Sequence, residues 1–181
     1  MKSARDPGIY IDSDLLMRTR VQRAVSRCFA VLRQLRQIRR SVQTDTFQTL
    51  VVSLVLTRLD YGNSVLAGLP VYLVRRLQSV VNAAARLTYH LSRSDHITDA
   101  LVCLHWLRVL ERVQYKISVL VHNALHGLAP QYLGPLNYVA DLPGRRPLRS
   151  AGTNRLAVPP VRLTTVANQP GFPGCRPTDM E

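Results

Sequence analysis

Among its 181 residues the sequence has two lysines, two glutamates and three cysteines, and no acidic residue at all between Asp14 and Asp45. Cys28, Cys103 and Cys175 form no spaced framework, so they read as one or two buried thiols and a loop thiol in a reducing compartment. The first residues, with Met1, Lys2, Arg5, Asp6 and Pro7, hold no apolar stretch of the signal-peptide kind. The expectation is an intracellular protein, cytoplasmic or nuclear, and not a secreted one. Long hydrophobic runs are also missing: the best candidate, 50–56, is broken by Ser53 and stops at Arg58, well short of the roughly 18 residues that span a bilayer. No membrane partner is expected. Glycine-rich phosphate loops of the G-x-x-x-x-G-K-[ST] and G-x-G-x-x-G types are absent, as is a G-x-S-x-G nucleophile elbow. The chain reads as no enzyme in its own right, with no cofactor.

What is present is arginine. Lys and Arg total 24 against 11 Asp and Glu, giving a net charge of +13, and 22 of the 24 cations are arginine. With 46% hydrophobic residues the chain has enough apolar material for a core, which separates it from a disordered basic tail. A guanidinium keeps its charge at any accessible pH and grips phosphate through a planar two-point fork, so this balance suits nucleic acid. GC-rich coding DNA also inflates arginine, and charge alone leaves an ordinary basic surface open.

The pattern along the chain predicts an all-α bundle of four to five helices, with a short N-terminal extended segment and a Pro/Gly-rich C-terminal tail. Residues 8–12 read as one strand. Over 14–40 the spacing becomes helical: Val21, Ala24, Cys28, Val31, Leu35 and Ile38 recur every three or four positions, with Met17, Val25 and Leu32 widening the stripe. Asp12, Ser13 and Asp14 stand where an N-terminus wants oxygen acceptors and negative charge. A second helix is expected over 45–58, capped by Ser41 or Thr44, with Phe47, Leu50, Val51, Leu54 and Val55 on one face. Because Val52 and Leu56 are apolar too, it is expected to be the most buried element. The turn formers 60–63 and the Gly68-Leu69-Pro70 break precede a third helix over 71–90. There Leu73, Leu77, Val80, Val81, Ala84 and Leu87 point inward, and Arg75, Arg76, Gln78 and Arg86 outward. A short helix over 97–103, capped by Ser94 or Asp95, and a longer one over 109–126 follow, the latter stopped by Gly127 and Pro130. Beyond Asp141 lie seven of the eleven prolines, which predicts a tail with short strands at most over 156–158 and 161–166, and disorder after 167. The expected domains are 1–13, 14–140 and 141–181.

Few motifs carry chemistry. Tyr10-Ile11-Asp12-Ser13-Asp14 invites comparison with the polymerase signature of an aromatic, any residue and two adjacent aspartates. Its second acid is displaced by one position, so two-metal convergence fails and a helix cap is the better reading. His122 and His126 are four apart on one helix, yet lack the glutamate of a zinc-protease helix and any third ligand nearby, so neither catalytic nor metal residues are expected. Cys103 with His105 is weak, and the adjacent Trp106 suggests core packing. The main candidate site is a basic helix face of Arg18, Arg20, Arg23, Arg27, Arg33, Arg36 and Arg40, with Arg75 and Arg76 on the third helix, able to follow a phosphate backbone. A solvated face, a membrane-surface helix or a site for an acidic partner are the competing readings.

Three segments in succession resemble a known family. They are Gly8 to Leu15; then Arg58-Leu59-Asp60-Tyr61-Gly62-Asn63 through Ala67-Gly68-Leu69-Pro70 to Leu77-Gln78 and Asn82-Ala83-Ala84-Ala85-Arg86; then Asp95-His96-Ile97-Thr98, Leu104-His105-Trp106-Leu107, Tyr115-Lys116 and Ala124 to Leu133. Together they resemble the C-terminal part of reverse transcriptases from LINE-type (non-LTR) retrotransposons of the jockey-like and chicken-repeat-like clades, over 8–166. In that family the palm with its catalytic aspartates, and an endonuclease, lie upstream. The resemblance therefore implies that 8–12 match the end of the palm and 15–133 a helical thumb and connecting region that grips template and primer. It implies a truncated remnant of an RNA-directed DNA polymerase without its active site, retaining sequence-tolerant binding of RNA or DNA. The alternatives are a helical interaction or self-association module working through exposed apolar faces, or a reading frame with no cellular role. Two departures from the family stand out. Arg108 replaces a common proline, which predicts a longer following helix. Gly171-Phe172-Pro173-Gly174-Cys175-Arg176-Pro177 departs from the family ending in a way that a frameshift near 167–170 would explain, an expectation that sequencing the locus tests.

Overall fold

Apolar residues that return to one side every three or four positions make a helix with a buried stripe, and the first to do so is α1, Arg18–Ile38. The computed structural model describes residues 3–6, 9–12, 17–134, 136–142 and 155–157. On α1 the buried apolar row is Val21, Val25, Cys28, Leu32 and Leu35, and Arg39 continues it in the 3-10 turn Arg39–Ser41. The expected stripe through Ala24, Val31 and Ile38 lies beside this row. Ala24 and Val31 are half-buried and Ile38 is 42% exposed, because 3.6 residues per turn bring position 39, not 38, onto the core at the end of the helix.

The predicted strand is β2, Ile9–Asp12, and it has a partner: β1, Ser3–Asp6, pairs with it antiparallel in the register Ser3↔Asp12 to Asp6↔Ile9. A lone strand leaves its backbone donors and acceptors unmatched, and the second strand supplies them. Helix α1 starts four residues later than the sequence pattern suggests, after Met17 takes a left-handed conformation at φ 54°.

The second helical rod consists of α2, Thr44–Val51, a π-helical turn, Val52–Leu56, and α3, Thr57–Asp60. Its N-cap is Gln43, with no side-chain cap bond, in place of Ser41 or Thr44. The π turn shows in the Thr57 N–H donating to the Val52 carbonyl five residues back. Hydroxyls of Thr49, Ser53 and Thr57 donate to the carbonyls of Asp45, Thr49 and Ser53 at 3.0, 2.7 and 2.5 Å, and such back-bonding along one exposed side loosens and bends a helix. This rod is not the most buried element: Val52 and Leu54 project outward, each 38% exposed. That place belongs to α4, Val71–Tyr89, where Leu73, Leu77, Val80, Val81, Ala84, Ala85 and Thr88 are buried against α1 and the rods that follow.

The remaining helices of this unit, α5, Ile97–Cys103, and α6, Val109–Leu125, match the pattern closely. Helix α5 is preceded by His96 with no side-chain cap; Asp95 instead accepts the Ser92 N–H at 2.6 Å. Arg108 does not lengthen α6. It stays outside as N-cap at φ −65°, an angle proline would share, and its N–H donates to Glu111 Oε2 at 2.8 Å while Gln78 Oε1 accepts the Val109 N–H at 2.9 Å. Helices α4, α5 and α6 end alike: Leu91, Trp106 and Leu128 donate N–H to the carbonyls of Arg86, Leu101 and Asn123 across a left-handed residue, His90, His105 and Gly127.

With α2, the π turn and α3 counted as one rod, the fold is the all-α bundle of five helices that the sequence predicts. Two antiparallel relations place its ends. Arg20 meets Tyr61 and Cys28 meets Val55, so the second rod runs back along α1; Leu77 lines a cavity with Leu59 while Thr88 lies at the start of α2, so α4 runs back along the second rod. No helix among the described residues is long and apolar enough to cross a membrane.

The chain divides into two compact units, Met1–Ala129 and Pro130–Glu181. In the second, 3-10 turns cover Gln131–Leu133 and Val139–Asp141, and a single bridge joins Tyr138 to Leu156, with Val139 N–H donating to Arg155 O at 2.7 Å. The predicted strand over 156–158 is thus one bridge at Leu156 in the described residues; the strand over 161–166, the disorder after 167 and the frameshifted ending lie outside them.

Candidate nucleic-acid interface

Helix α1 offers its outer side. Its 21 residues rise about 1.5 Å each, which makes a rod of about 30 Å. Arg18, Arg23, Arg27, Arg33 and Arg36 are exposed on it, and Arg40 in the turn that follows. At about 100° per residue, Arg18, Arg33 and Arg36 fall on one flank of the solvent face and Arg23 and Arg27 on the other. Because the apolar row of α1 is packed into the core, this helix has only its polar side to present, which argues against lying on a membrane surface.

Arg20 must be removed from the candidate set. It is 9% exposed and donates from Nη2 to the Tyr61 carbonyl at the end of the second rod. Burial lowers its pKa, partly offset by Tyr61. It sits next to Val21 on the border of the buried row, so its guanidinium enters the bundle and holds the start of α1. Arg39 has the same fate at the other end. It is 7% exposed; Nε donates to Leu87 O at 3.3 Å, Nη1 to Val42 O at 3.1 Å, and Nη2 to Thr44 Oγ1 and Thr88 O at 3.2 and 2.7 Å, with the guanidinium 4.8 Å from the Phe47 ring centre. Two last-turn carbonyls of α4 thus find a cation, as the negative end of a helix dipole favours. Arg75 and Arg76 are exposed on α4, a separate helix, at the end of the bundle that also holds Arg23 and Arg27.

A shallow groove of about 390 Å³ opens on the first turns of α1, lined by Thr19, Gln22, Arg23, Ser26 and Arg27. The neutral members of this set escape a reading based on charge. Their signal is spacing, since 19, 22, 23, 26 and 27 share one helix face.

Asp12 acts as the predicted cap, from a distance. Its carboxylate is 2% exposed, and Oδ2 accepts the Thr19 N–H at 2.8 Å. Burial pushes its pKa up, but the bonds from Thr19 and the charge of Arg18 outweigh that and hold it below the usual carboxylate range. The turn 60–63 is a junction: Arg112 Nη1 pairs with Asp60 Oδ2 at 2.7 Å, Asn63 Nδ2 donates to Asp60 Oδ1 at 3.4 Å, and Arg20 reaches the Tyr61 carbonyl. The cavity beside it, lined by Leu59, Asp60, Asn63, Leu77, Val109 and Arg112 among others, measures about 10 Å³, the room of a single water.

His122 and His126 stack with ring centres 4.1 Å apart, and His126 Nδ1 lies 2.8 Å from the His122 carbonyl. Among the described residues no group of three or more His, Cys, Asp or Glu is placed to hold a metal ion. Cys28 is buried, its thiol pushed up to about 11 by burial, and Cys103 is exposed while Trp106 packs in the core. No family model, no curated protein and no solved structure matches the chain.

Proposed function

We propose that this chain carries the thumb-like helical region of a LINE-type reverse transcriptase and grips nucleic acid, RNA or DNA, without regard to sequence. It catalyses nothing by itself. Arg18, Arg23, Arg27, Arg33, Arg36 and Arg40 contact backbone phosphates, and Arg75 and Arg76 add to the field. The observation that carries the reading is the outer side of α1 and the turn after it: five exposed arginines on the helix and a sixth, Arg40, just beyond it, in a stretch of about 30 Å whose sequence holds no acidic residue between Asp14 and Asp45. Each phosphate that meets a guanidinium releases counterions, so affinity for a duplex falls with salt at a slope of about −0.9 per contact. Titrating the full chain with a DNA duplex, an RNA–DNA hybrid and a single strand at about 50 and 200 mM salt tests this, with an expected duplex slope of about −5 to −6. Absence of binding at the lower salt rejects it.

A second reading, a helical interaction or self-association module, draws on the apolar residues that α5, α6 and the turn between them leave outside: Val102, Leu107, Leu110 and Tyr115 are all exposed. Sedimentation across protein concentrations separates the two. Association without salt-sensitive nucleic-acid binding favours the module.

A further inference from the structure

Helices α1 and α4 pack against each other and point the same way, since the second rod runs back along α1 and α4 runs back along the second rod. Arg39 bonds the Leu87 and Thr88 carbonyls, which sets the last turns of the two helices level. The second rod meets α1 at Arg20 and Cys28, one edge of its buried row; the other edge, Val25 and the half-buried Phe29, turns to α4. Arg33, Arg36 and Arg40 follow Phe29 at helical spacing, so these exposed cations stand on the α4 side of the solvent face. On α4, Gln78 accepts the Val109 N–H and marks the side that meets α6. Arg75 stands about 60° from Gln78 round the helix, whereas Arg76 stands about 160° away, toward α1, with Tyr72 one turn before it. Tyr72 is 49% exposed, and neither helix contains a carboxylate. Among the described residues, the side chains of Arg33, Arg36, Arg40, Tyr72 and Arg76 make no hydrogen bond or ion pair. The seam is thus walled by three arginines from α1 and its following turn and by Tyr72 and Arg76 from α4, over about 25 Å.

We propose that this seam takes a single strand of nucleic acid, its backbone on Arg76, Arg33, Arg36 and Arg40 and one base laid on the Tyr72 ring. The inference rests on the nucleic-acid reading above and names the form of nucleic acid. An unpaired base offers its face to an aromatic ring, whereas the bases of a duplex already stack on one another. Guanidinium groups beside the ring then hold the phosphates that flank the base. Arg75, next in sequence and equal in charge, faces away from the seam and adds only to the field.

The test uses the full chain, a labelled oligothymidine of about 20 nucleotides and the duplex of the same length, followed by fluorescence anisotropy. Tyr72→Ala, Tyr72→Phe, Arg75→Gln and Arg76→Gln all fall at exposed positions, and circular dichroism verifies their fold. Tyr72→Ala is expected to weaken single-strand binding about tenfold and duplex binding less than about twofold, while Tyr72→Phe stays within about twofold of wild type on both. Arg76→Gln is expected to flatten the single-strand salt slope by about 0.7, and Arg75→Gln to leave it unchanged. Equal effects of Tyr72→Ala on the two forms, or equal slope changes in the two glutamine variants, overturn the seam while binding by the unaltered chain keeps the nucleic-acid reading. Failure of the unaltered chain to bind either form overturns both.

Discussion

Arg20 and Arg39 stand near the two ends of one helix, and so do Arg18 and Arg40 beside them, yet the first pair is folded into the bundle while the second faces water. The inner pair meets backbone carbonyls of other helices: Tyr61 for Arg20, and Leu87 and Thr88 for Arg39. The outer arginines, Arg18, Arg23, Arg27, Arg33, Arg36 and Arg40, are exposed along a stretch, 18–40, that itself holds no acid. Residue type and local charge are the same on both sides, so neither decides the role of an arginine here. What decides it is whether the helix phase brings a guanidinium to carbonyls at another helix end. Inside, N–H donors in a planar fork satisfy backbone acceptors from other helices; outside, the same group keeps its charge at the surface.

The strongest way to break this contrast is Arg39→Met. It removes four hydrogen bonds and the contact with Phe47, and takes the donor from the buried Thr88 carbonyl and the part-buried Leu87 carbonyl at the end of α4. Urea unfolding is expected to show a loss of about 3 kcal/mol. Arg39→Lys restores the charge without the fork and recovers less than half of that loss. A change below about 0.5 kcal/mol for Arg39→Met removes the structural half of the comparison. Arg20→Met is next, at about 2 kcal/mol, since one charged donor to the Tyr61 carbonyl is lost. Under folding conditions its affinity for nucleic acid stays within about twofold of wild type, and a larger drop returns Arg20 to the binding face.

Asp12 sharpens the comparison from the acidic side, because it is the carboxylate that closes the start of the arginine helix. Asp12→Ala is expected to destabilise by about 1 kcal/mol through the lost cap. The pH dependence follows from the sign of the shift. A carboxyl held lower in the folded than in the unfolded chain binds fewer protons when folded, so its contribution is complete above about pH 4 and disappears as pH falls through the folded value. Asp12→Asn keeps a capping oxygen while abolishing this titration. Chemical unfolding of the two proteins between about pH 2.5 and 6 should therefore show the wild type losing stability relative to Asp12→Asn at the acid end. Parallel curves contradict the assignment.

The bundle itself was legible because its signals are local. Gly127 and Pro130 terminate α6, the apolar period marks α4, and each needs only neighbouring residues to act. The two buried arginines were not legible, since their acceptors lie 41 and 49 residues away along the chain, and no period on α1 announces a carbonyl from another helix. Helix phase accounts for Ile38, where one position of drift exchanges an expected core residue for Arg39. The π turn left a fainter trace in Thr49, Ser53 and Thr57, whose hydroxyls back-bond along one side. On the candidate site, the charges were visible and the groove was not, because Thr19, Gln22 and Ser26 gain meaning only from where α1 begins.

The smallest expected change in stability completes the contrast and is its most informative test. Arg33 and Arg36 are exposed on α1, three residues apart on one flank. Arg33→Gln with Arg36→Gln removes no buried contact, so unfolding should stay within about 0.5 kcal/mol of wild type. It also relieves repulsion between like charges on neighbouring turns, which sets the expected sign as neutral to slightly stabilising. In duplex binding the same variant should flatten the salt slope by about 1.8, two contacts at about 0.9 each. The two readouts move independently only if these arginines serve a ligand and not the fold. Loss of stability comparable to Arg20→Met places them in the structure; an unchanged salt slope places them in plain solvent.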